Sequence, residues 1–154
     1  MVNPVIFCMK AAMMMMLMIS GCSAVRAEGA GSTPLSSCPE SPNCVSTEAP
    51  DNQHKIDVFR LKGDFSKNWP EIQRVVAALP RSAVVKADET YLHATFKSRV
   101  FQFVDDLELF LDPLSGIISI RSAAQTGYWD FGVNRRRVEQ LRHGLQGRDL
   151  IHHP

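Results

Sequence analysis

The sequence predicts an α+β fold: a two-layer domain in which a mostly antiparallel five-stranded sheet carries two helices on one face, in the chain order β-α-β-β-β-β-α. Three observations predict it. Several short runs between residues 55 and 123 alternate apolar with polar residues, the period of a half-buried strand. Two other segments repeat apolar residues at helical spacing instead. The strand-like runs follow one another through short turns, and a sheet with one apolar face closes a core only when helices cover that face.

Each element has its own reason. "KIDVFRLKG" (55–63) alternates and reads as the first strand. In "NWPEIQRVVAALP" (68–80), Trp69, Ile72, Val75, Val76 and Leu79 form one helical stripe, and Pro80 stops the helix. "SAVVKAD" and "TYLHATFKS" read as a hairpin turning through Asp88 and Glu89. "VFQFVDDLELFLD" (100–112) reads as one long strand, "PLSG" (113–116) as a four-residue loop, and "IISIRSA" (117–123) as its partner strand. The last helix is expected to follow Asn134 as N-cap, with Val138, Leu141 and Leu145 facing the core.

The four-residue loop fixes a register. Leu111 then faces Ile118, Leu109 faces Ile120 and Leu107 faces Ser122, in one buried row. On the other face Glu108 lies opposite Arg121, with Asp106 diagonal to it. A one-residue slip would bury the charges, so this register is strongly specified. Asp105 conflicts with it, because it shares the parity of Phe101, Phe103 and the leucines. Either a bulge between Phe103 and Leu107 turns it away, or it is buried with a partner such as an arginine.

The segment "GYWDFGVNRRRVEQL" (127–141) breaks a local rule. A helix N-terminus carries partial positive charge and disfavours cations, yet Arg135, Arg136 and Arg137 are expected in its first three positions. Arg135 falls on the face of Glu139 and Arg142, an exposed ion-pair row; Arg136 reads as surface; Arg137 borders the apolar stripe and needs a carboxylate. Two readings compete. Asp105 and Asp130 neutralise Arg121 and Arg137 in a structural clasp, or arginines and free amides hold an external anion. The candidate cluster is Asp105, Asp106, Arg121, Asp130, Asn134, Arg135 and Arg137.

The N-terminus reads as an export signal. All seven methionines lie at or before Met18, and Lys10 precedes the apolar run "AAMMMMLMIS". That run ends in Ile19-Ser20-Gly21-Cys22, which resembles the lipobox of bacterial lipoproteins, whose cysteine is acylated and becomes the mature N-terminus. Ordinary cleavage after Ala27 is the alternative, and translation starts at either Met1 or Met9. The expected divisions are a signal at 1–21, a small polar tether at 22–37 and one domain at 38–150. Loss of Lys10 leaves 16 basic residues against 16 acidic, so net charge steers the mature chain neither to nucleic acid nor to a membrane, a local basic patch remaining open, and the N-terminal lipid is the expected membrane contact. Palmitate on Cys22 and an envelope location facing the periplasm follow from this reading, with Ser23 favouring the outer membrane in a diderm host.

Of the four cysteines, Cys8 leaves with the signal and Cys22 is acylated, which leaves Cys38 and Cys44 in "CPESPNC". In an oxidising compartment a disulfide is the first reading; free thiols, or a metal or redox pair, are the alternatives. Two thiolates are half a zinc shell, and the nearest histidine is His54, so no metal and no cofactor is expected.

"CPESPNCVST", "FVDDLELFLD" and "ISIRSAAQTGYWDFGVNRRRVEQLR", in this order, resemble the domain of unknown function family 1499 over about residues 37–146. Gln125 and Trp129 depart mildly from its pattern. The resemblance implies a bacterial envelope or plastid protein, often a lipoprotein, and implies no reaction. An enzyme would use Asp105 or Asp106 as base beside Arg121, but no phosphate loop or nucleophile elbow accompanies them, and Ser122 falls in the core row. The terminal His152 and His153 read as frayed. The expected function is therefore binding of a small anionic or amphiphilic ligand. The alternative is a structural or partner-binding envelope lipoprotein.

Overall fold

A computed structural model of the chain describes residues 33–153. The signal segment 1–21, Cys22 and most of the tether lie outside the described residues. The elements are β1 (Cys44–Ser46), β2 (Phe59–Arg60), α1 (Phe65–Ala77), β3 (Ser82–Ala87), β4 (Tyr91–Lys97), β5 (Val104–Asp112), β6 (Ile117–Ala124) and α2 (Val133–Gln146). All strand pairs are antiparallel, in the order β1-β6-β5-β4-β3, and β2 also pairs with β6. The α+β class and the long hairpin are as the sequence predicts. The sheet has six strands rather than five, because Cys44–Ser46 pairs with Ala123, Ser122 and Arg121.

The expected first strand is shorter than its alternation implies. Only Phe59 and Arg60 join the ladder, against Ile118 and Ile117. Ile56, Phe59 and Leu61 still point inward and are buried. What replaces the ladder is arginine. Arg142 donates to the carbonyls of Asp57 and Val58, and Arg135 to those of Gln53 and Lys55. Backbone acceptors must be satisfied by some donor, and here helix side chains supply it.

The register of β5 and β6 is the one derived from the loop: Leu111 faces Ile118, Leu109 faces Ile120, Leu107 faces Ser122 and Glu108 faces Arg121. Gly116 takes φ 68°, which only a glycine adopts freely. Leu92, Ala94 and Phe96 of β4 join the buried leucines on the same face. Trp69, Ile72 and Val76 of α1, with Val138, Leu141 and Leu145 of α2, close the core over it. Both helices therefore cover one sheet face.

Helix α1 starts earlier than its apolar stripe, because the Asp64 side chain accepts from Ser66 N–H and caps it. At the free edge β3 is almost wholly exposed, and a register shift between Val84 and Lys86 bends it. That bulge and Lys86 blunt the edge against pairing with another chain. The C-terminus is docked rather than frayed: Leu150 and Ile151 are buried, Leu61 bridges to Ile151, and His152 N–H donates to Arg60. The imidazoles of His152 and His153 stay exposed.

Cys38 and Cys44 are disulfide-bonded, with Cα atoms 5.6 Å apart. The bond ties the entering chain to the start of β1. Thiol labelling of the native protein should find neither cysteine reactive, and both reactive after reduction and denaturation; labelling of either without reductant would refute the bond.

Candidate functional site

The predicted cluster is two clusters, because neighbouring residues on a strand point to opposite faces. Asp105, Asn134, Arg137 and Ser122 meet on the helix-covered face. Asp106, Glu108 and Arg121 lie on the other.

On the covered face no bulge rescues Asp105. Residues Val100–Phe103 lie outside β5, so Phe101 and Phe103 are exposed and only Asp105 begins the buried row. Its carboxylate accepts from Arg137 at 2.5 Å, and the two side chains are 11% and 12% exposed. Arg137 also donates to Asn134 Oδ1 at 2.5 Å and Ser122 Oγ at 3.1 Å, and its guanidinium lies 4.7 Å from the Phe96 ring centroid. Ser122 Oγ–H is shared with Asn134 Oδ1 (2.7 Å) and the Asp106 carbonyl (3.0 Å). Each buried polar group here has a partner within the cluster.

Asn134 is not the N-cap. The helix begins at Val133 with Gly132 before it at φ 73°, and Asn134 is fully buried. The three arginines are thus two positions deeper in the helix than the sequence suggests. Asp130 takes the capping role: one oxygen accepts from Gly132 N–H and the other from Asn134 N–H and Asn134 Nδ2, at 2.8–3.0 Å. A carboxylate at this end also complements the helix dipole. Freed from capping, Asn134 Nδ2 reaches the Asn43 carbonyl at 3.1 Å. Asn43 in turn donates to the Gly127 carbonyl. Sequence reasoning missed Asn43 as the residue joining the disulfide loop to the helix start. Its proximity to Cys44 was the only available signal.

On the other face Arg121 pairs with Glu108 at 2.9 Å, and Tyr91 O–H donates to Glu108 at 2.6 Å. Asp106 accepts from Gln125 and bonds His93 Nε2 at 2.8 Å. So Arg121 takes neither Asp105 nor Asp106, contrary to the single-clasp reading. The His93 contact was readable from the hairpin register, since both residues sit at polar parity on adjacent strands. A carboxylate–imidazole pair can move a proton, but the fully buried Ser122 hydroxyl faces the opposite layer.

Burial, and after it the hydrogen bond to Glu108, holds the Tyr91 hydroxyl protonated well above the ordinary phenol range. A raised pKa means that the folded chain keeps a proton the unfolded chain releases. That contribution is intact below about pH 10, the ordinary value for an unfolded tyrosine, and is lost as pH climbs toward the folded value. Denaturant midpoints should therefore fall above about pH 10. The Tyr91→Phe protein should lose less over the same range, and equal slopes would count against this environment.

Arg135 is less idle than an exposed ion-pair row implies, since it holds the 53–55 backbone; Glu139 pairs with Arg142 instead. Arg136 is exposed and donates only to the Phe131 carbonyl. Beside it lies a half-open groove of about 260 Å³ between the end of α1 and the first turns of α2. Its apolar lining includes Leu79, Phe96, Val133 and Leu141, and Arg81 and Arg136 stand beside them. Arg81 donates to the Lys97 carbonyl, and neither arginine has a carboxylate within 4.0 Å among the described residues. No group of three or more potential metal ligands occurs among the described residues. No described helix is long and apolar enough to cross a membrane.

Fold and site together define a class: a two-layer α+β domain whose last helix is keyed into the sheet by a buried aspartate–arginine pair. More particularly, the family model described as "Protein of unknown function (DUF1499)" matches residues 34–145, and the chain belongs to that family. No curated protein and no solved structure matches.

Proposed function

We propose that this chain is an exported envelope protein, acylated at Cys22, that binds a small anionic amphiphile in the groove lined by Leu79, Phe96, Val133, Leu141, Arg81 and Arg136. The export signal, Ser20-Gly21-Cys22 and the disulfide support the location. Ser23 favours the outer membrane, with the domain facing the periplasm. The groove carries the binding reading: apolar walls beside two arginines with no carboxylate partner among the described residues. Typical small-molecule sites span about 300–1,000 Å³, so this one suits a head group and the first part of a chain. Asp105 and Arg137 beside it act as a clasp that shapes the groove wall. Their pairing with each other, rather than with an outside anion, is the observation that favours the rival, purely structural role.

A long-chain fatty acid and its neutral alcohol separate the two. The protein should bind the acid at least about tenfold more tightly, a difference of 1.4 kcal/mol. Arg81→Ala with Arg136→Ala should abolish that preference without changing the melting temperature. Equal binding of acid and alcohol, or none of either, would leave the structural role. Cys22→Ser should release the protein from membranes; retention through acyl chains would refute the anchor.

A further inference from the structure

The end of the domain around this groove carries a surface that core packing does not explain. The β4–β5 turn and the β6–α2 loop lie side by side there, since Lys97 pairs with Val104 and Asp105 with Ala124. Val100, Phe101 and Phe103 project from the first, and Tyr128, Trp129 and Phe131 from the second. Phe101 is 74% exposed, Trp129 65% and Phe131 85%. They are paired among themselves: Phe101 stacks on Phe103 with centroids 5.6 Å apart, and Tyr128 meets Trp129 edge-on at 5.3 Å. Each loop also holds a non-glycine residue at positive φ, Gln102 at 58° and Phe131 at 52°. Left-handed backbone is costly for an aromatic residue, and here it presents Phe131 to solvent.

On the groove rim and the two aromatic loops the charge is mostly positive. Arg81, Lys97, Arg99 and Arg136 flank the aromatics. The only acid within residues 79–82, 97–104 and 125–137 is Asp130, whose oxygens are occupied by helix N–H groups. The chain also enters the domain here, because β1 begins opposite Ala123 and Cys44 is bonded to Cys38. Fifteen residues separate Cys22 from Cys38, and a flexible chain of that length has a root-mean-square reach of about 20 Å. An anchor at Cys22 would hold this end, rather than the far end of the sheet, next to the lipid.

We propose that this aromatic and basic tip docks on an anionic phospholipid surface, with Phe101, Trp129 and Phe131 entering the interfacial layer and Arg81, Arg99 and Arg136 meeting lipid phosphates. Aromatic rings partition to the depth of the head groups, and nearby cations add attraction to anionic lipid. Docking sets the mouth of the groove against the source of an anionic amphiphile. The inference rests on the envelope location for the identity of the membrane, but docking needs neither the acyl chain nor the groove ligand.

Vesicle sedimentation tests it on residues 33–154 without lipid. This segment contains every core residue among those described, from Val45 to Ile151, and the family match lies within it, so it is expected to fold on its own. It should co-sediment with equimolar phosphatidylglycerol and phosphatidylethanolamine, and far less with phosphatidylcholine. Trp129 fluorescence should shift to the blue on binding, over a constant background from buried Trp69. Phe101→Ser combined with Trp129→Ser should lower the partition coefficient at least about tenfold, with an unchanged melting temperature because both side chains are exposed. Three results would overturn the proposal. One is no binding to anionic vesicles. Another is binding unaffected by the aromatic substitutions and abolished by salt, which is adsorption through charge alone. The third is concentration-dependent self-association that the same substitutions remove, which assigns the tip to a second copy of this chain. None of these touches the fatty-acid result or the Cys22→Ser result, so failure here and failure of the proposed function remain distinguishable.

Discussion

Arg137→Ala should unfold the domain or lower its denaturation midpoint sharply, while Arg136→Ala should leave it almost unchanged. Both residues lie in the same turn of α2, so helix propensity and dipole effects are nearly equal for the two. What differs is burial. Arg137 is enclosed with Asp105, and its loss strands a carboxylate that is only 11% exposed. Breaking a buried pair by removing one partner typically costs about 3–5 kcal/mol, against a total stability of about 5–15 kcal/mol for a domain. The guanidinium contact with Phe96 goes with it. Arg136 loses one hydrogen bond to the Phe131 carbonyl, on the surface. Equal costs in a urea titration would mean that the helix face is misassigned. A second comparison isolates the cause. Asp105→Leu combined with Arg137→Met should recover much of the loss, because an apolar pair of similar volume leaves no uncompensated charge.

The next largest effect is expected at Asn134. This residue is fully buried and serves four groups: it accepts from Ser122 and Arg137, and donates to Asn43 and Asp130. Asn134→Ala removes all four contacts and leaves a cavity. Ser122, Asn43 and Arg137 each keep another partner, so the cost should be about 2–3 kcal/mol rather than the sum of four bonds. Asn134→Asp is nearly isosteric and should cost at least as much. It turns the donor into an acceptor facing the Asn43 carbonyl and places a second carboxylate beside Asp130, 3.0 Å from the present Nδ2. If Asn134→Asp proved neutral, the orientation of the amide would have to be reversed.

Local patterns made much of the sheet legible. The hairpin register followed from a four-residue loop and the parity of three leucines, since any slip would expose them. Helix faces followed from spacing. The sequence was silent where one segment depends on another far away. Cys44–Ser46 is too short to show a period, and it becomes a strand only because β6 offers an open edge. The 55–58 backbone reads as a strand and is not one, because Arg135 and Arg142, more than seventy residues later, satisfy its carbonyls. Asn134 looked like a cap because of its side chain, and tertiary burial reassigned that side chain to Ser122 and Asn43.

By itself the sequence determined the α+β class, the central register, the helix faces, membership of the family through its paired cysteines and arginine run, and the need of Arg137 for an acid. These depend on periodicity and on the high cost of an unpaired buried charge, both written in nearby residues. The tertiary structure alone decided that Asp105 and not Asp106 meets Arg137, that Arg121 belongs to Glu108, that Asp130 caps α2, and that two loops gather their aromatic residues at one end. Strand neighbours face opposite layers, so which of two adjacent aspartates is buried depends on where the strand begins, and that is set by the chains on either side of it.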